Sequence, residues 1–91
     1  MDGSLIVTTP LFEIGDRIKL IKVPPAVERN GSTFPETLAI FQSAVGKMFK
    51  VRGIDAYGHV EVWVCEDGAE DETGAAHSIW VEPAYLARIT I

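Results

Sequence analysis

A chain of 91 residues, 47% of them hydrophobic, carries eight basic and thirteen acidic side chains and has the size of one small domain. It is too apolar and too evenly charged to be a disordered segment, and its net charge of −5 disfavours a nucleic-acid binder that works through a basic surface. The acidity is also local. Glu66, Asp67, Glu70, Asp71 and Glu72 form one short run with no base among them, and outside it eight acids face eight bases.

The N-terminus, residues 1–11, begins with an acid at Asp2 and holds only a three-residue apolar stretch, Leu5-Ile6-Val7, too short for the core of a signal peptide but able to form an extra strand. No apolar run nears the roughly 20 residues that span a bilayer, so no membrane association is expected. The single cysteine, Cys65, leaves no internal disulfide and suggests a cytoplasmic location. From Phe12 onward, Gly15-Asp16 signals a turn. Ile18 and Leu20 then alternate with Arg17 and Lys19 in the period of a half-buried strand. Pro24-Pro25 ends it, because proline donates nothing to a ladder.

Residues 26–34 are polar and contain the turn dipeptide Asn30-Gly31. Thr33-Phe34-Pro35-Glu36 fits a capping box, with Thr33 as the cap. Phe34, Leu38, Phe41 and Val45 then follow at helical spacing, which predicts a short helix over about 35–45, closed by Gly46. Phe49 and Val51 alternate with Lys50 and Arg52. Asp55-Ala56-Tyr57-Gly58 reads as a hairpin turn, with Gly58 placed for positive φ. Val60, Val62 and Val64 share one face of the next strand, and His59, Glu61, Trp63 and Cys65 share the other. The acidic run belongs to a loop, 66–76, whose composition predicts a flexible, solvated hairpin tip. His77 to Glu82 places Ile79 and Val81 inward and Ser78 and Trp80 outward. A turn at Pro83-Ala84-Tyr85-Leu86 leads to a last strand over 87–91.

Three segments, 12–20, 47–66 and 80–89, carry a family likeness in their order of elements: an acidic turn and strand, a central hairpin, and a proline and tyrosine before a closing strand. In this the chain resembles the SH3-like small barrels. The resemblance implies an all-β, five-stranded barrel over 12–91 with one short helix inserted after the first strand. The aromatic-rich opening motif and the paired tryptophans of peptide-binding SH3 domains are absent, so binding of proline-rich peptides is not implied. SH3-like accessory subunits, such as the small subunits of photosystem I and ferredoxin–thioredoxin reductase, are closer in character and dock on larger partners.

Trp63 and Trp80 are the leading candidate site. If their strands pair so that opposite residue numbers sum to 143, the indoles stand directly across from each other on the outward face; sums of 141 or 145 leave them diagonal. Two outward tryptophans would form an apolar interaction patch, unless the helix or the Leu5–Val7 segment covers them. Tyr57, Trp63, Trp80 and Tyr85 with Glu61 or Glu82 also supply the residue types of an aromatic cage for a methylated ammonium, without a cage-like spacing.

Metal or nucleophile chemistry has little support: His59 and His77 lie 18 residues apart, and Cys65 precedes acids that disfavour its thiolate. The acidic run lacks the spacing of a calcium loop, and no glycine-rich phosphate motif is present. These residues predict a non-catalytic module with no cofactor and no metal, acting as a homo-oligomer (dimer or higher) or docked on a larger subunit through Glu61, Trp63, Trp80, Tyr57 and Tyr85. The competing reading is a small-molecule binder or small enzyme with a pocket between helix and barrel.

Overall fold

A computed structural model describes residues 12–89; the Leu5-Ile6-Val7 stretch and the last two positions of the expected closing strand lie outside the described residues. Phe12 is buried beneath the Arg88 guanidinium, 5.5 Å from its ring. The chain then turns at Glu13–Asp16. Gly15 adopts a φ of 96°, and the Asp16 carboxylate accepts the Glu13 amide at 2.9 Å. This turn leads into β1 (Arg17–Leu20), whose Ile18 and Leu20 are buried while Arg17 and Lys19 face solvent.

The excursion after β1 is more helical than the sequence suggests. Pro25–Arg29 forms a one-turn helix, α1, with Pro25 in its first turn, where a missing N–H costs nothing. Asn30 closes it by donating both its amide and its side-chain nitrogen to the Ala26 carbonyl, at 3.2 and 2.8 Å. Helix α2 spans Pro35–Ala44. Thr33 does not cap it. Phe34 occupies that place without a side-chain hydrogen bond, and Pro35 follows in the first turn. The inward stripe is also rotated from the expected one. Phe41 and Ala44 are buried and Ile40 packs against the core, whereas Phe34 is exposed.

The remaining strands are β2 (Met48–Lys50), β3 (Gly53–Ile54), β4 (Val60–Val64), β5 (His77–Val81) and, after a single 3-10 turn at Pro83–Tyr85, β6 (Leu86–Arg88). One antiparallel sheet has the order β2-β1-β6, with Ile18 opposite Phe49 and Lys19 opposite Ala87. The other has the order β3-β4-β5. Both sheets and α2 send side chains into one core that includes Ile18, Leu20, Phe41, Phe49, Val62 and Val81.

This architecture corrects the expected all-β, five-stranded SH3-like barrel. Among the described residues, six strands form two three-stranded sheets and no strand joins them into a closed ring, so the fold is a small mixed α/β one. The physical reason is visible at two places. At Val51–Arg52, between β2 and β3, the chain changes sheets, Val51 bonding Gly15 and Asp16 beside β1 while Arg52 donates to Glu61 of β4, and the Pro83–Tyr85 turn carries the chain from one sheet to the other instead of continuing a strand. Among the described residues, both sheets therefore keep edges that no strand covers.

Candidate functional site: an outward face and an open strand edge

The hairpin turn before β4 forms as the Asp55–Gly58 pattern predicts. Gly58 takes a φ of 86°, and its amide donates to the Asp55 carbonyl at 3.1 Å. The Asp55 carboxylate accepts the amides of Tyr57 and His59 and contacts His59 Nδ1 at 2.9 Å. Partial burial pushes the Asp55 carboxyl up, but these His59 and Tyr57 hydrogen bonds outweigh it and hold the group below the ordinary range. Tyr57 itself is 87% exposed at the hairpin tip, touching only the edge of the His59 ring among aromatic neighbours. Its ring contact is with His59 and not with either tryptophan.

From this hairpin β4 runs with Val60, Val62 and Val64 buried and Glu61 and Trp63 outward. β5 lies beside it with Ile79 and Val81 buried and Ser78 and Trp80 outward. The register sum is 141, so Trp63 faces Ser78 and Trp80 faces Glu61. The two tryptophans are diagonal, with the Glu61 carboxylate between them. Its Oε2 accepts Trp63 Nε1 at 3.3 Å and the Ser78 hydroxyl at 2.5 Å. Trp80 reaches across Glu61 towards Gly53 on β3, where a Cβ would come within 3.6 Å of the indole. Glu61, Trp63 and Trp80 are thus brought together. Tyr85 is not among them: it sits in the 3-10 turn, packed against the core, with Lys22 Nζ 5.5 Å above its ring. With Tyr57 and Tyr85 both elsewhere, no aromatic cage forms.

The expected cover of Trp63 by the Leu5-Ile6-Val7 segment lies outside the described residues. Among the described residues, Trp63 is held by the acidic loop and Arg52. The Arg52 guanidinium lies 4.3 Å from the indole centroid, and Gly74 packs so closely that a Cβ there would stand 2.9 Å from the ring. The loop is built structure rather than a solvated tip. Asp71 is 8% exposed, and its carboxylate accepts the amide and hydroxyl of Thr73, at 2.9 and 2.6 Å, and the Ala76 amide at 2.9 Å. These bonds from Thr73 and Ala76 lower the Asp71 carboxyl to about 2.

Glu70 bridges to β4 at Val64 and brings its carboxylate to the Lys50 amide (2.7 Å), Arg17 (3.7 Å) and Arg52 (3.8 Å). Lys47 Nζ donates to the Asp67 carbonyl at 2.6 Å. Through Glu70 and the Asp67 carbonyl the loop therefore answers basic residues of the first sheet and its neighbourhood. Burial, Asp71 and Asp67 together raise the Cys65 thiol, which leaves it a poor nucleophile.

The feature with most capacity for interaction is the edge of β5. The carbonyls of Glu61 and Trp63 accept the amides of Arg52 and Asp71, at 2.8 and 2.9 Å, on the side away from β5. The alternation of an antiparallel pair then turns the backbone groups of Val60, Val62 and Val64 towards Val81, Ile79 and His77. Ser78 and Trp80 consequently direct their N–H and C=O groups outward, and no described residue bonds them. The other strand edges are shorter: β3 has two residues, β2 three with Lys50, and β6 three with Arg88. β5 has five and carries no Lys, Arg, Asp, Glu or Pro. Those are the residues that ordinarily blunt an edge.

Beside β5 lies a groove of about 490 Å³, walled by Val27, Thr37, Ile40 and Phe41 on the helical side and by Ser78 and Trp80 on the strand side. Neither Ser78 nor the edge itself is a candidate on sequence grounds. The signal available is five uncharged residues bounded by a loop and by Pro83.

Among the described residues, no group of three or more His, Cys, Asp or Glu side chains could hold a metal ion, and no helix is long and apolar enough to cross a membrane. Compared with protein-family models, curated proteins and solved structures, the chain matches none, so its own geometry carries the functional reading.

Proposed function

We propose that this chain is a non-catalytic docking module that binds protein by adding an extended strand to the edge of β5, with Trp80 and the α2 groove flanking the added strand. One observation carries the reading: Ser78 and Trp80 present N–H and C=O groups that no described residue bonds, two residues apart on an uncharged five-residue edge. Main-chain pairing of this kind supplies affinity, and alternate side chains entering a neighbouring groove supply selectivity. Trp80, 46% exposed, adds apolar surface of the type that interfaces favour. The groove has the size of a small-molecule pocket, but its polar groups do not converge: the Ser78 hydroxyl is already donated to Glu61.

The test is fluorescence anisotropy with a panel of labelled strand-forming heptapeptides, each also made with alternate backbone amides methylated. Binding by the plain peptides, lost on methylation and lost in Ser78→Pro, is the expected result. Equal binding of plain and methylated peptides would overturn strand addition.

A further inference from the structure

Resting on that reading, we infer that the strand added to β5 is the β5 of a second copy of this chain, antiparallel, about a two-fold axis through Ile79. One self-complementary register engages both outward residues of each copy. Placing Ser78 opposite Trp80 of the other copy aligns outward N–H and C=O groups on both sides and closes about four backbone hydrogen bonds. In that register Ile79 stands opposite its own counterpart. No residue of His77–Val81 carries a fixed charge, so no like charges are set against each other within the paired strands.

The part of the acidic loop that contacts β4 is turned away from the edge. The acidic loop contacts β4 at Val64 and Trp63 on the side opposite β5, and Glu70 there is matched by Arg17 and Arg52. The helical wall of the groove is apolar apart from Thr37. Side chains of the incoming strand at positions 77, 79 and 81 fall on the same face as Ile79 and Val81. That face borders the groove lined by Val27, Ile40 and Phe41. A second copy therefore offers both the backbone groups that the edge lacks and apolar side chains for the groove, with no fixed charges set against each other within the paired strands. A strongly basic or acidic peptide would find no counter-charge on this edge.

The test reads assembly and register separately. Sedimentation of the unmodified chain from about 1 µM to about 1 mM should show the mass rising from 9.9 kDa towards twice that value. Ser78→Pro, which removes one outward donor while leaving the β4 ladder intact, should hold the mass at the monomer value. For the register, single cysteines are oxidised in a Cys65→Ser background. Ile79→Cys should form a disulfide-linked dimer readily, because residues opposite each other at a non-hydrogen-bonded pair lie within disulfide reach. Ser78→Cys should link at least tenfold less, its two copies being diagonal and too far apart.

Equal linking at both positions, or preferential linking at Ser78→Cys, overturns the register. A mass that stays at the monomer value throughout overturns the second copy as occupant, even if strand peptides bind and the docking reading survives. Loss of both peptide binding and self-association removes both. Sedimentation of the unmodified chain needs no variant to fold, so it decides the occupant even where a cysteine variant fails to fold.

Discussion

Replacing Gly68 by alanine tests whether the acidic loop is part of the folded body. Gly68 has a φ of 87°, and a Cβ there would collide with the Ser43 carbonyl in the last turn of α2. Two costs add. Left-handed backbone disfavours an L side chain by about 1–2 kcal/mol, and forcing an atom against main chain that cannot swing aside adds about 1–3 kcal/mol. Gly68→Ala should then lose about 2–5 kcal/mol, much of the stability of a domain this small. Gly58→Ala is the matched control: its φ is 86°, but no atom lies within 4 Å of the added carbon. It should lose only the conformational part, about 1–2 kcal/mol. Urea denaturation of the two variants, compared at equal slope, isolates packing of the loop on α2 as the difference. If Gly68→Ala is no worse than Gly58→Ala, the loop does not rest on the helix and is not built structure.

Further outcomes follow from the same contacts. Trp63→Ser, which empties the space between Arg52 and Gly74, should destabilise by about 1–3 kcal/mol, whereas Trp80→Ser should change stability little and weaken docking instead; thermal melts beside anisotropy separate the two. Because the folded Asp71 carboxyl lies at about 2 against an ordinary 3.8, its contribution is full above about pH 4 and disappears as pH falls through about 2. Acid unfolding of Asp71→Asn should therefore be flatter over that window, and equal slopes would refute the assignment. Glu70→Gln should cost under about 1 kcal/mol through its long ion pairs with Arg17 and Arg52, read by urea melts at low and high salt, with the difference shrinking as salt rises.

The parts of this fold that are legible in the sequence are those where burial alternates strictly. Val60, Val62 and Val64 against Glu61 and Trp63 announce a two-faced strand, and Asp55–Gly58 announces its turn, because both signals are local. The register of β4 with β5 is not local. A twelve-residue connection, 65–76, sets it, and a slip of two residues keeps every side chain on its face while changing every partner. That is why Trp63 meets Ser78 rather than Trp80.

The acidic run misleads for a similar reason. Composition reports five carboxylates but not Arg17, Arg52, Lys47 or the Lys50 amide across the fold, nor the amides of Thr73 and Ala76 that enclose Asp71. Helix α1 is not legible because four residues after Pro25 are too few for a period. The barrel expectation fails on topology: short strands and turns in a plausible order do not specify whether two sheets close.

Docking at this edge turns on the backbone of two residues, and residue-resolved amide hydrogen exchange across β5 observes them directly. In dilute solution His77, Ile79 and Val81 should be protected by β4 while Ser78 and Trp80 exchange rapidly. At high protein concentration, or with a bound strand peptide, Ser78 and Trp80 should become protected as well. If their exchange is unchanged by concentration and by every strand peptide, the β5 edge is not a docking edge and the account is contradicted.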